Sequence, residues 1–161
     1  MIAKIGLDDA GCADVIELVR TLIGSGIDVN ARDADGRAPI HQAVGAGLHD
    51  VAQLLLDAQA DPTIGGKAIG KQNNALHQAT LRDDAQMIRL LLSAAALNVG
   101  SAGQGGWTAL ALAARSGHEA AAKALLEGGA DPTAVMANGK SALDIARVNN
   151  KVGIIALLTN A

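Results

Sequence analysis

Gly65, Gly70 and Lys71, with Lys67 between them, have the spacing of a loop that wraps backbone N–H groups and a lysine around phosphates. That chemistry needs a buried strand before the loop, a helix after it and a hydroxyl next to the lysine to hold Mg²⁺. Gln72 stands where the hydroxyl should be, and Asp61-Pro62 leads in from a helix rather than a strand. The segment therefore reads as a connecting loop. A second glycine cluster, Gly100, Gly103, Gly105 and Gly106, has no dinucleotide-binding context around it. His118-Glu119 opens like a zinc-protease helix, but Ala122 occupies the place of the second histidine. His41 and His77 have no further Cys or His at metal-ligand spacing, and Cys12 has no histidine at a motif spacing, so an inert thiol is expected. No catalytic residue, metal ligand or cofactor site is expected, and the chain reads as a non-enzyme.

Composition narrows the classes further. The formal net charge of −3 and pI near 5.7 disfavour sequence-independent binding to nucleic acid, which needs a basic surface. A single cysteine cannot form an internal disulfide. No apolar run reaches membrane-spanning length and the first residues lack a signal-peptide core, so a cytoplasmic chain is expected. Half of the residues are hydrophobic, yet Phe and Tyr are absent and Trp107 is the only aromatic. A core without aromatic volume has to come from Ala and Leu on closely packed helices.

What would position any site is a repeat. Ala10, Ala43, Ala79, Ala113 and Ala146 follow one another at steps of 33, 36, 34 and 33 residues. Three residues before each stands Leu7, Ile40, Leu76, Leu110 or Leu143, and twelve after it Leu22, Leu55, Leu91, Leu125 or Leu158. The aliphatic residue and the alanine share one face of a first short helix. Asp14, Gly47, Asp83, Gly117 and Asn150, four residues on, tolerate a left-handed backbone and are expected to end it. A second helix follows, with stripes such as Leu18, Val19, Leu22 and Ile23, or Met87, Ile88 and Leu91. Pro62 and Pro132 in the exits Asp61-Pro62 and Asp131-Pro132 set an extended path onward.

These residues resemble the ankyrin repeat, over roughly residues 2–160. Its signature stands as Ala38-Pro39-Ile40-His41-Gln42-Ala43, and recurs weakened as Asn74-Ala75-Leu76-His77-Gln78-Ala79, Thr108-Ala109-Leu110-Ala111-Leu112-Ala113 and Ser141-Ala142-Leu143-Asp144-Ile145-Ala146. The resemblance implies an all-α solenoid of stacked helix-turn-helix units joined by hairpin loops, in one domain over residues 1–161. The units run approximately over residues 2–30, 31–63, 64–99, 100–133 and 134–161. Two loops depart from the pattern and are expected to deviate: 63–74 carries three extra residues, and the exit Ala96-Leu97-Asn98-Val99 lacks Asp-Pro and is one residue longer. Asp8 and Asp9 at one end, and Lys151, Thr159 and Asn160 at the other, are expected to cap the stack with polar groups. His41 and His77 are expected to brace adjacent loops, as the signature histidine does.

The same resemblance implies binding without catalysis. The broad concave side of such a stack, built from loop tips and first helices, is where partner proteins lie. Trp107 falls at a position commonly directed to that side, and Trp is enriched at interface hot spots. It is expected to be substantially exposed, beside Arg115 and Lys140. The equivalent tip positions hold Arg37, Asn73 and Lys140, with Asp35, Lys71, Gln104 and Asn138 nearby; Arg82 and Arg115 lie at the ends of first helices. The function expected is a protein-binding scaffold, monomeric when free, with no nucleic acid, membrane or cofactor partner. It resembles short stand-alone ankyrin proteins common in bacteria, some of which cover a toxin's active site as immunity proteins. That narrower role is the alternative.

Overall fold

The computed structural model describes residues 9–65, 73–94 and 97–161. Nine helices lie in the described residues: α1 (Asp9–Gly24), α2 (Pro39–Ala46), α3 (His49–Asp57), α4 (Ala75–Leu81), α5 (Ala85–Ser93), α6 (Ala109–Ser116), α7 (Glu119–Glu127), α8 (Ala142–Val148) and α9 (Val152–Thr159). From α2 onward they come in pairs. First helices α2, α4, α6 and α8 stack on one another, and second helices α3, α5, α7 and α9 form the other layer.

Local sequence sets the boundaries. Asn74, Thr108 and Ser141 each accept a backbone N–H of the helix they precede, as N-caps do. At α8 the box is reciprocal: Asp144 accepts the backbone N–H of Ser141 at 2.9 Å and its hydroxyl at 2.8 Å. The first helices stop where the sequence demands a left-handed residue. Gly47 and Gly117 have φ of 73° and 82°, and Asp83 and Asn150 adopt 54° and 52°.

Asp14 does not stop a helix. It lies inside α1, so among the described residues the first unit is one continuous rod, packed on α3 in the second layer. Aspartate permits a turn without imposing it, and its cost inside a helix is only about 0.7 kcal/mol relative to alanine. A straight α1 turns Val15, Ile16, Val19 and Ile23 to the core. Leu18 and Leu22 point away, 58% and 42% exposed, so the register leucine of this unit is not a core residue. Cys12 lies on this helix. Leu7 and Asp8 lie outside the described residues.

Apart from Leu143, which is only partly buried, the register positions of the second to fifth units are core. Ile40, Leu76 and Leu110, the alanines Ala43, Ala79, Ala113 and Ala146, and Leu55, Leu91, Leu125 and Leu158 are all buried. Alanine at the helix contacts lets the layers approach closely, which is how a chain with one aromatic fills its interior.

Hairpins join the units. Backbone bonds close them from Asp33 to Arg37, Gly103 to Trp107 and Met136 to Lys140. The missing Asp-Pro pair before the third of the inter-unit loops does not distort its hairpin. Asn98 accepts the Gly100 N–H at 2.8 Å, just as Asp131 accepts that of Thr133 at 2.8 Å. The extra residue thus falls between α5 and Asn98. Most of the longer loop, 66–72 with Lys67 and Lys71, lies outside the described residues.

Candidate binding face and family

The candidate residues depend on how the hairpins are fastened. His41 receives the Ala38 N–H on Nδ1 and donates from Nε2 to the Ile64 carbonyl at 2.7 Å, tying one unit to the next loop. His77 repeats the device, its Nε2 lying 3.1 Å from the carbonyl of Trp107. The expected bracing role of both histidines is therefore observed. His118, in the turn after α6, reaches back to the Thr80 carbonyl at 2.9 Å, a tie that the sequence did not announce.

Burial lowers the pKa of both His41 and His77 below the ordinary 6.5, opposed by their hydrogen bonds to backbone carbonyls. The sign follows. The unfolded chain takes up these protons near pH 6.5 while the folded chain resists, so stability falls as pH drops below that value. The melting temperature should decline between pH 7.5 and 5.5, and His77→Gln should flatten the slope. An unchanged slope in that variant would remove His77 from the account.

Trp107 stands on this fastening. Its carbonyl accepts both His77 and the Gly103 N–H, the latter at 2.7 Å. Its ring lies beneath the Arg115 guanidinium, 4.8 Å from the ring centroid, in cation–π geometry. Gly105, beside the ring, has a φ of 67°, a left-handed conformation that favours glycine. Trp107 is half-buried and packs against the core rather than standing largely free as expected. The arginine covers part of a ring that water would otherwise meet.

The other expected positions divide. Arg82, Asn138 and Lys140 are exposed, as is Arg115. Asn138 braces its own turn by accepting the Lys140 N–H at 3.1 Å. Arg37 is held by Asp33 and Asp35, each at 3.0 Å, so Arg37 and Asp35 neutralise one another at that tip. The Arg37 backbone N–H, with its guanidinium, also holds the Asp33 carboxyl below its usual range. Asn73 is not a surface residue: it is 7% exposed and lies with His77 under Gly103, where an added Cβ would collide with both. Tip spacing alone could not show that the neighbouring hairpin folds over it. Gln104 lies in the turn at 104–106, and Lys71 lies outside the described residues. Val135, 66% exposed on the last hairpin, is an apolar tip residue that the sequence reading missed. Among the described residues no three His, Cys, Asp or Glu side chains gather as a metal site would require.

Comparison with known proteins decides the family. A model described as ankyrin repeats (3 copies) matches residues 76–161, and one described as ankyrin repeats (many copies) matches residues 10–56. This chain belongs to the ankyrin-repeat family. It is 35% identical over 121 residues to Protein lin-12 of Caenorhabditis elegans, covering 72% of this chain and 8% of that one. It is 33% identical over 132 residues to Neurogenic locus notch homolog protein 1 of Danio rerio, covering 81% and 5%. A transient receptor potential cation channel subfamily A member 1 homolog of C. elegans is 33% identical over 124 residues, covering 77% and 10%. The chain thus spans a tenth or less of these relatives, which are animal proteins and lend no support to a bacterial setting. Ankyrin repeats are in general non-catalytic scaffolds for protein–protein interaction. Among the described residues no helix is long and apolar enough to cross a membrane.

Proposed function

We propose that this ankyrin-repeat chain is a non-catalytic scaffold that holds a partner protein against the hairpin tips and first helices, with Trp107 as the anchor. The observation that carries the reading is the Trp107–Arg115 pair. The only aromatic side chain sits half-open on a hairpin, partly packed on the core and under a cation that can turn aside when a partner arrives. Trp and Arg are the residue types most enriched in interface hot spots.

Charge supports an acidic partner segment. Arg82, Arg115 and Lys140 are exposed and in no ion pair among the described residues. The second helices instead carry Asp50, Asp57, Glu119 and Glu127 against Arg89 and Lys123, with Arg89 bound to Glu127 at 3.0 Å. Arg82, Arg115 and Lys140 thus leave three unpaired cations on this face, while Arg20 and Lys123 are exposed and unpaired on other helices. Binding of a captured partner should therefore weaken as salt rises from about 50 to about 500 mM, because screening shortens the reach of exposed charges. Arg115→Glu should weaken binding at least tenfold, while Lys123→Glu on the other layer should not. Equal effects of the two substitutions would contradict this choice of face.

A further inference from the structure

The hairpin between α7 and α8 carries Asn138-Gly139 at its tip, and Asn138 is the one asparagine of the chain that a glycine follows. A glycine puts no side chain beside its own backbone nitrogen. The surroundings are equally open. Ala137, Asn138, Gly139 and Lys140 are all exposed, and a Cβ built on Gly139, whose φ is 74°, would meet nothing within 4 Å. Asn138 accepts the Lys140 N–H at 3.1 Å, a bond that folds its carboxamide back along the chain across Gly139. No hydrogen bond among the described residues holds its amide nitrogen.

The other asparagines are placed differently. Asn73 and Asn74 are buried. Asn30, Asn149 and Asn160 each donate from the amide nitrogen to a carbonyl, of Gln59, Ile145 and Ala156. Asn98 is followed by Val99, whose branched side chain crowds the next nitrogen, and Asn150 by Lys151. Sequence and structure thus single out the same residue.

We propose that Asn138 is a site of spontaneous deamidation, through a succinimide closed by the Gly139 nitrogen. That nitrogen is engaged by one hydrogen bond, to the Met136 carbonyl at 2.8 Å, and an exposed tip opens locally at little cost. Having lost its proton to solvent base, the nitrogen attacks Asn138 Cγ. A Cγ–N bond forms, the Cγ–Nδ2 bond breaks, and Nδ2 leaves as ammonia with a proton from water. Water then opens the ring. Addition at Cγ gives aspartate; addition at the main-chain carbonyl gives isoaspartate, in which the backbone runs through Cγ and is one atom longer. One water is consumed and one ammonia released, with no change of oxidation state. Either product sets a carboxylate beside Lys140 and opposes an acidic partner segment. That consequence rests on the binding face proposed above, whereas the chemistry does not.

The test follows the chemistry without a partner. The chain is aged in mildly alkaline buffer and digested with trypsin, which releases residues 124–140 with Asn138 as their only asparagine. This peptide should gain the mass of an amide-to-acid exchange at least tenfold faster than residues 90–115, which hold Asn98, or 148–151, which hold Asn149 and Asn150. Enzymatic isoaspartyl methylation should find isoaspartate in it beside aspartate. Asn138→Gln should leave the same peptide unchanged over that time, because its longer side chain has to close a six-membered ring. The proposal is overturned if residues 124–140 change no faster than the two reference peptides, or if the glutamine variant changes as fast as wild type. Aspartate without isoaspartate would also overturn it, since direct hydrolysis of the side chain yields aspartate alone.

Discussion

Leu91→Ala is expected to destabilise the fold by about 2–5 kcal/mol, the cost of removing a fully buried leucine and leaving its cavity. Leu91 is completely inaccessible in α5, between the second helices of the neighbouring units. Leu91 belongs to a core cluster rich in alanine, whose short side chains have little reach to refill the space. In a stack of units that share one core, damage to a middle unit also weakens both of its interfaces. Leu18→Ala is the matched control. Although the two leucines fall in similar apolar stripes, Leu18 is mostly exposed, and its truncation should cost within about 0.5 kcal/mol. Urea denaturation of the two variants separates them. A loss below about 1 kcal/mol at Leu91 would mean that the shared core is not what holds the middle of the stack.

The contrast between those leucines shows what was legible in the sequence. Wherever the alanine register was flanked by a residue that compels a turn, the helices and most of the core could be read directly. Gly47 and Gly117 compel a stop, whereas the N-caps Asn74, Thr108 and Ser141 emerge only from the structure. Asp14 offered only a tolerance, and the helix ran through it; Leu18 and Leu22 lie off the core. The site was legible in type and less so in exposure. Trp107 and the cations could be placed on hairpins and helix ends by spacing, because the repeat fixes backbone position. Whether a neighbour covers a side chain depends on packing between units. Hence Asn73 proved to be buried under Gly103, and Trp107 to be half-covered by Arg115.

Trp107→Ala is expected to weaken partner binding by about 2 kcal/mol or more, roughly thirtyfold in the dissociation constant, as truncation of an interface anchor does. The ring is half-buried in the free chain, so the substitution should also lower stability, but by less than Leu91→Ala. Burial recovers about 25 cal/mol per Å² of apolar surface, and a partner that displaces Arg115 and covers the open face of the ring supplies that area on binding. Trp107→Phe separates anchoring from bracing, since it keeps an aromatic face for both the arginine and the partner and should retain much of the affinity. If Trp107→Ala lowers the melting temperature and leaves affinity unchanged, the residue is a brace for its hairpin alone.

Because Trp107 is the only tryptophan, the chain grown with 5-fluorotryptophan carries a single ¹⁹F label, placed on the proposed anchor. Titration with an unlabelled partner, followed by ¹⁹F NMR, reads that side chain and nothing else. Binding at the Trp107 face predicts a resonance that shifts or broadens in step with complex formation and loses its sensitivity to exchange of H₂O for D₂O. A partner that demonstrably binds while the resonance stays where it was would contradict the account.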